Sequence, residues 1–172
     1  RHELLSDLEA RCEGLDAGVK AILEEAKRPG SNLGGIRGLV ADLIDVDIQH
    51  AAAVESILGD RVQAIVVHTA SDARAAMGFL REQHKGRAMF LPLDRIASQP
   101  ASSSAPSLPR ARDQVRAPAD ASAVVDALLG NAYLVDDLDA AGAAASRTER
   151  CVFATPRGET APVSYTHLRA HE

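Results

Sequence analysis

Residues 53–96 read AVESILGDRVQAIVVHTASDARAAMGFLREQHKGRAMFLPLDRI, and the changes of period within this stretch decide the fold. Val54, Ile57 and Leu58 fall at i, i+3, i+4 on one helical face, and Gly59 follows at the C′ position, where a positive φ costs nothing. Val62 to Val67 is β-branched and nearly all apolar, the composition of a strand buried on both faces. Thr69, Ser71 and Asp72 offer N-cap oxygens to a second helix, whose Ala73, Ala76, Met77 and Leu80 recur at i, i+3, i+4, i+7. Gly86 stops that helix. Arg87 to Leu93 (RAMFLPL) follows as a strand, and Pro92 places it at a sheet edge or ends it there. The order is helix, strand, helix, strand, with no nucleophile, base or ligand cluster among them.

The same order returns farther along. Val124–Gly130 (VVDALLG) repeats Ala53–Gly59 (AVESILG) class for class, AYLV follows as a strand, and Asp136 or Asp137 supplies a cap. Leu138, Ala141, Gly142 and Ala145 then mark a helix, and Cys151 to Thr155 (CVFAT) the closing strand. Gly59 and Gly130 each end a helix that turns at once into a strand, so a positive φ is expected at both. Between the copies, residues 97–121 hold four prolines, five serines and almost no large apolar side chain. Such a segment cannot order itself by burial and reads as a linker, mobile and protease-sensitive over 98–118. Its Arg110, Arg112 and Arg116 suit either a solvated linker or a nucleic-acid contact. The fold class is therefore α/β (α+β): two related small subdomains of mixed sheet and helices.

Toward the N-terminus, Leu5, Leu8, Cys12, Leu15, Val19 and Ile22 are spaced alternately by three and four, an a/d seam of about three heptads. It suits the end of a coiled coil or a single helix packed on the domain. Gly14 and Gly18, each costing about 1 kcal/mol in a helix interior, suggest that a supercoil ends here. Residues 28–38 (RPGSNLGGIRG) then supply four glycines. A phosphate-binding loop needs a strand before the glycines and a helix after them; here a helix precedes and the strand-like run Leu39–Val46 follows. A turn with close backbone approach is the better account.

Composition narrows the class. The chain has 172 residues, a net charge of -5 and 3% aromatics without Trp, so its core must be Leu, Val, Ile and Ala and any DNA contact must use a local patch. No apolar run approaches the roughly 20 residues of a membrane span, which favours a cytoplasmic location. Cys12 and Cys151 have no CxxC neighbour, against a zinc knuckle or a disulfide framework. Asp42, Asp45 and Asp47 could attract a divalent cation, but on a strand only Asp45 and Asp47 share a face, and strand-end solvation or capping of the next helix is the better account. His68 and His84 have no partner ligands nearby in sequence and read as surface histidines.

The order A-V-E-x-x-L-G, apolar strand, capped helix, G-R-x-x-F-L-P-L-D-x-I resembles the first half of the hinge domain of SMC (structural maintenance of chromosomes) proteins. C-E-G-L-D-A-G-V-K-A-I-L is similar to the segment where the first SMC arm enters its hinge, apart from Cys12, where the family usually has an aromatic. L-L-G-x-x-x-L-V-x-x-L-x-x-A with V-x-x-T-x-x-G-E is similar to the second half. The resemblance implies the end of a coiled-coil arm at 1–27, hinge subdomain 1 at 28–97, a flexible linker at 98–121 and an incomplete subdomain 2 at 122–161. It implies a homodimer through the hinge, no catalysis and no cofactor here. ATP and Mg, kleisin-type partners and nucleoid DNA would belong to the whole protein. Structural glycines are expected at Gly35, Gly38, Gly59, Gly86, Gly130 and Gly158, and candidate DNA contacts at Lys20, Lys27 and Arg28 at the base of the arm.

After Thr155–Glu159 an SMC hinge continues into a glycine-rich stretch and a returning arm. Here VSYTHLRAHE resembles translated adapter read-through, so 162–172 reads as a non-native tail. The expectation is a truncated hinge whose last strand edge, near Cys151–Thr155, is unpaired and whose self-association is weakened. Two other classes stay open at this point: an unrelated α/β ligand-binding domain, which needs a deep pocket with convergent polar groups, and a small enzyme using the acidic group with His68, which needs tight metal binding.

Overall fold

Ile65, Val66 and Val67 have no solvent exposure at all, and the first sheet is laid around them. The computed structural model describes residues 16–96, 108–137, 139–140 and 151–162. The seam from Leu5 to Leu15, the helix positions Leu138, Ala141, Gly142 and Ala145, and the tail from 163 onward lie outside the described residues. In chain order the elements are α1 (Ala17–Ala26), β1 (Ile36–Leu39), α2 (Val40–Leu43), β2 (Asp45–Val46), α3 (Ile48–Leu58), β3 (Ile65–Val67), α4 (Ala70–Glu82), β4 (Phe90–Pro92), β5 (Val115–Arg116), α5 (Ser122–Leu129), β6 (Ala132–Leu134), β7 (Val152–Ala154) and β8 (Thr160–Pro162). Single 3-10 turns occupy Gly59–Gln63, Leu93–Arg95 and Ala111–Gln114.

The chain divides into two units, Arg1–Leu43 with Asp60–Ala97, and Ile44–Gly59 with Ser98–Glu172. In the first, the sheet order is β1-β3-β4, with β1 antiparallel and β4 parallel to β3. A parallel pair needs a crossover, which α4 supplies. Ala73, Ala76 and Leu80 of α4 join Val19, Ile22, Leu33, Leu39, Ile65 and Val67 in one core. Met77, expected on that face, is 44% exposed instead. The predicted strands shorten: 62–63 belong to a 3-10 turn, and 87–89 precede β4 without pairing as strand. Pro92 does lie on an edge strand, where its missing N–H leaves no ladder bond unmade. The run Leu39–Val46 is not one strand, because α2 interrupts it.

The second unit pairs β6 parallel to β7 and β7 antiparallel to β8, with β2 and β5 forming a separate antiparallel ribbon. Its cores are Ala53, Ala111, Ala132, Leu134 and Ala154 on one side, and Tyr133, Val135, Cys151 and Phe153 on the other. The Tyr133 and Phe153 rings are 5.9 Å apart and tilted, a favourable aromatic arrangement.

Three expectations change here. First, 28–97 is not a continuous subdomain: α3 buries Ala53, Val54 and Leu58 within the second unit. Second, the segment read as a linker is built in over its described part, 108–121; Ala111 is fully buried, Val115 pairs with Val46, and Arg112 bonds to Asp126, to the Val115 carbonyl at 3.2 Å and to Ser122 Oγ at 3.1 Å. Third, β7 has no open edge on its C-terminal side, because Thr160, Ala161 and Pro162 pair with Ala154, Phe153 and Val152. Pro162 thus belongs to the sheet and not to a tail.

Candidate functional site

The glycine-rich segment before β1 packs onto the start of α4. A Cβ at Gly35 would lie 2.2 Å from the Asp72 carboxyl carbon, and the His68 N–H donates to the Gly35 carbonyl at 3.0 Å. Thr69 Oγ1 accepts from the Asp72 N–H at 3.2 Å while Asp72 Oδ2 accepts from the Thr69 N–H at 2.9 Å, a reciprocal capping box. Asp94 Oδ1 takes the Ala70 N–H at 2.9 Å. Two carboxylates therefore close this helix end, leaving a site that repels phosphate.

Of the other glycines, Gly38 sits at a register shift between β1 and β3 with φ 141°, a β-bulge, and Gly86 and Gly158 have φ 83° and 82°. Gly59 caps α3 with φ 51° and ψ -133°, a conformation open to glycine. Gly130 departs from expectation: its φ is -60°, ordinary helical backbone. What requires glycine there is space, since a Cβ would lie 2.4 Å from the Asp126 carbonyl oxygen. Sequence position alone also missed Gly18, where a Cβ would lie 2.3 Å from the Arg87 carbonyl oxygen. Nor does Gly86 end α4. His84, with φ 51°, takes the left-handed position, and the Lys85 N–H reaches back to the Leu80 carbonyl at 3.1 Å, as in a Schellman stop.

Lys20 and Arg28 line one groove of about 530 Å³ with Glu24, Glu25, Phe79, Gln83 and Lys85. Arg28, 70% exposed, pairs with Glu25 at 2.8 Å, and Lys27 is exposed at the end of α1. The three cations are thus close along α1, with carboxylates interleaved.

Asp45 and Asp47 do share a face, and Arg116 answers both, at 3.6 and 3.7 Å. Asp47 stands at the N-cap of α3 without a side-chain cap bond, and Asp42 lies in α2. His68 is exposed. Among the described residues no group of three or more His, Cys, Asp and Glu converges as a metal site would. The buried Cys151 thiol has its pKa pushed up by burial. Tyr133 is raised too, by burial first and Cys151 second, with Arg110 opposing. In the second unit Ala53, Leu108, Pro109, Leu134, Val135 and Pro156 help line an apolar groove of about 370 Å³.

A family model of the flexible hinge domain of SMC proteins matches residues 33–145, a range that takes in most described elements of both units. The chain belongs to the SMC hinge family. It is 34% identical over 173 residues to the chromosome partition protein Smc of Lactiplantibacillus plantarum, covering 95% of this chain and 14% of that protein. The Myxococcus xanthus protein of the same name is 31% identical, over 92% of this chain and 14% of its own length. The chain therefore spans about a seventh of these relatives. Among solved structures, an asymmetric dimer of the Geobacillus stearothermophilus SMC hinge domain superposes with a TM-score of 0.79 at 30% identity, over 92% of this chain and 66% of that one. The Pyrococcus furiosus SMC hinge gives 0.74 at 27%, over 99% and 90%. The α/β class of an SMC hinge, with mixed sheets and helices, holds. No described helix is long and apolar enough to cross a membrane.

Proposed function

We propose that this chain is the module through which an SMC chromosome-partition protein joins two subunits, forming a homodimer. The observation that carries this reading is the extent of the family match: it runs through both units, each with its own sheet and core, as a joining element with two contact halves requires. The Geobacillus relative, a dimer by its description, supports the same assembly.

The module has no catalytic role and holds no cofactor. ATP and Mg belong to head domains of the whole protein, as do kleisin-type partners, and the protein works in the cytoplasm on nucleoid DNA. Lys20, Lys27 and Arg28 are its candidate DNA contacts. Sedimentation of the chain over a micromolar concentration series tests the reading: with β8 paired to β7, the open edge behind the expectation of weakened association is gone, so a discrete dimer is expected, and a monomer at every concentration would overturn it.

A further inference from the structure

The groove of about 370 Å³ in the second unit is built from separated stretches of chain: His50 and Ala53 on α3, Leu108 to Gln114 ahead of β5, the loop after β6, and Pro156 in the turn after β7. Ala53, Leu134 and Val135 are buried in its wall, and Leu108 is half-buried. Pro109, Asp136, Ala140 and Pro156 are exposed at its rim. Small-molecule sites have volumes of about 300–1,000 Å³, are mostly apolar and carry a few convergent polar groups. A protein partner would have to reach well beyond the groove, since a standard interface buries about 800 Å² on each side.

The hydrogen-bonding character of the groove favours one sign of ligand. The main-chain N–H of Leu134 is given to the Pro109 carbonyl at 2.8 Å, that of Val135 to the Ala154 carbonyl at 3.0 Å, and that of Ala140 to Asp137 Oδ1 at 2.7 Å. Pro109 and Pro156 have no N–H at all, and no Lys or Arg lines the groove among the described residues. An anion would find few donors there. Acceptors remain in the Asp136 carboxylate and the Gln114 side-chain carbonyl, and a neutral His50 adds a ring nitrogen. Among the described residues none of these three side chains makes a hydrogen bond or ion pair. The surroundings have the same sign: among the described residues the second unit has ten Asp and Glu against four Arg, where the first has eight against ten Lys and Arg. Arg112 is engaged with Asp126, and Arg116 with Asp45 and Asp47.

We propose that this groove binds a small organic cation, a primary ammonium carried on a compact aromatic or branched aliphatic body. The body lies against Ala53, Leu108, Leu134 and Val135, removing its apolar surface from water. The ammonium, which has three donors and no acceptor, meets Asp136 and Gln114, and its bond to the carboxylate is charge-assisted. The site lies within one unit and does not depend on how two copies join.

Phenethylamine, protonated near neutral pH, phenethyl alcohol and phenylacetate share one apolar body and differ in charge. Each is titrated into the isotope-labelled 172-residue chain and followed by amide chemical shifts. The ammonium should shift Leu134, Val135 and Ala140 and bind about tenfold tighter than the alcohol, while phenylacetate should shift none of them. Asp136→Asn should weaken the ammonium by about tenfold and leave the alcohol unchanged. Asp139→Asn removes the same charge without altering the lining and should change neither. Ala140→Phe, at an exposed rim position, should block both ligands by filling the groove. An alcohol as tight as the ammonium, equal weakening by Asp136→Asn and Asp139→Asn, or no shift at these amides with any probe would overturn the proposal. Binding that vanishes as the chain is concentrated into a dimer would assign the groove to a second copy and overturn it as well. None of these outcomes touches the joining role of the chain.

Discussion

The hydroxyl of Ser56 on α3 donates to the main-chain carbonyl of Gly158, 2.5 Å away across 102 residues of sequence. That bond joins α3 to the turn between β7 and β8. The turn closes on itself, the Gly158 N–H donating to the Thr155 carbonyl and the Thr155 N–H to the Glu159 carbonyl, both at 2.9 Å. With Pro156 at its second position and Gly158 left-handed, it is a type I turn ending in a bulge. Residues 44–59 belong to the second unit because α3 is held by this hairpin and by β7.

Gly158 is doubly constrained, by its φ of 82° and by the Ala52 carbonyl oxygen 3.2 Å from where a Cβ would stand. Gly158→Ala should therefore lose about 1–3 kcal/mol in urea unfolding with an unchanged m-value. Ser56→Ala, which removes one hydrogen bond, should lose about 1 kcal/mol. If both variants unfold like the parent, α3 is held by something other than this turn.

Gly59 and Gly130 occupy equivalent places in the repeated heptapeptide but need glycine for different reasons. At Gly59, φ 51° with ψ -133° strains any side chain although nothing lies within 4 Å of a Cβ. Replacement by Ala should cost about 1–3 kcal/mol with little dependence on side-chain size. At Gly130 the backbone is unstrained and the obstacle is the Asp126 carbonyl, so Ala should also destabilise and Val should be worse than Ala. Equal losses for Ala and Val at Gly130 would contradict the close-approach account.

Much of the fold is legible in the sequence because helix faces and buried strands write their period directly. Ala73, Ala76 and Leu80, Ile65 to Val67, and the Thr69 cap all stand where the pattern puts them. Period names a buried face without naming its partner, and α3 shows the consequence: its apolar positions were plain, its unit was not. Composition misled over 108–121, where small side chains such as Ala111 bury completely and one arginine, Arg112, makes three hydrogen bonds. The T-P-R-G-E turn carried a readable hairpin signal, proline then glycine between short apolar runs, that decides the pairing of β8. Charge was visible as a net value, but its partition needed the division into units.

His84 holds a left-handed conformation at the end of α4, where glycine is usual. The conformation costs a side chain about 1–2 kcal/mol, and glycine's greater freedom in the unfolded chain takes back part of the gain. His84→Gly should thus stabilise the chain by about 0.5–1 kcal/mol, seen as a higher urea midpoint. A lower midpoint would show that the imidazole contributes more than its backbone strain costs.

Alkaline pH should weaken the second unit. Cys151 and Tyr133 ionise to anions, and both have pKa values raised above their ordinary 9.0 and 10.0, chiefly by burial. The unfolded chain then releases these protons first, so their contribution is intact below the ordinary Cys value and is lost as pH rises through the folded values. Urea midpoints measured from about pH 7 to 10 should be level and then fall, and Cys151→Ala should reduce the fall beginning near 9.0. A midpoint level throughout in the parent chain would mean that Cys151 does not titrate differently on folding.

DNA binding by this chain should be weak and confined to the first unit. Lys20 lies on α1 and Lys27 seven residues on, at its C-cap, about two turns away, and Arg28 forms an exposed pair with Glu25 at 2.8 Å. Exposed pairs are worth about 0–1 kcal/mol, so a phosphate can take Arg28 from its partner at little cost. Three such contacts predict that log K falls against log salt with a slope of about -2 to -3 on duplex DNA. The excess of carboxylates on the second unit, where Arg112 and Arg116 are already paired, opposes contact there. Changing Lys20, Lys27 and Arg28 together to Glu should abolish binding in a fluorescence-anisotropy titration at low salt, whereas Arg112→Gln should leave it unchanged. Submicromolar binding that survived the triple change would move the site away from α1, and Lys85, which lines the same groove as Lys20 and Arg28, would be the first to test.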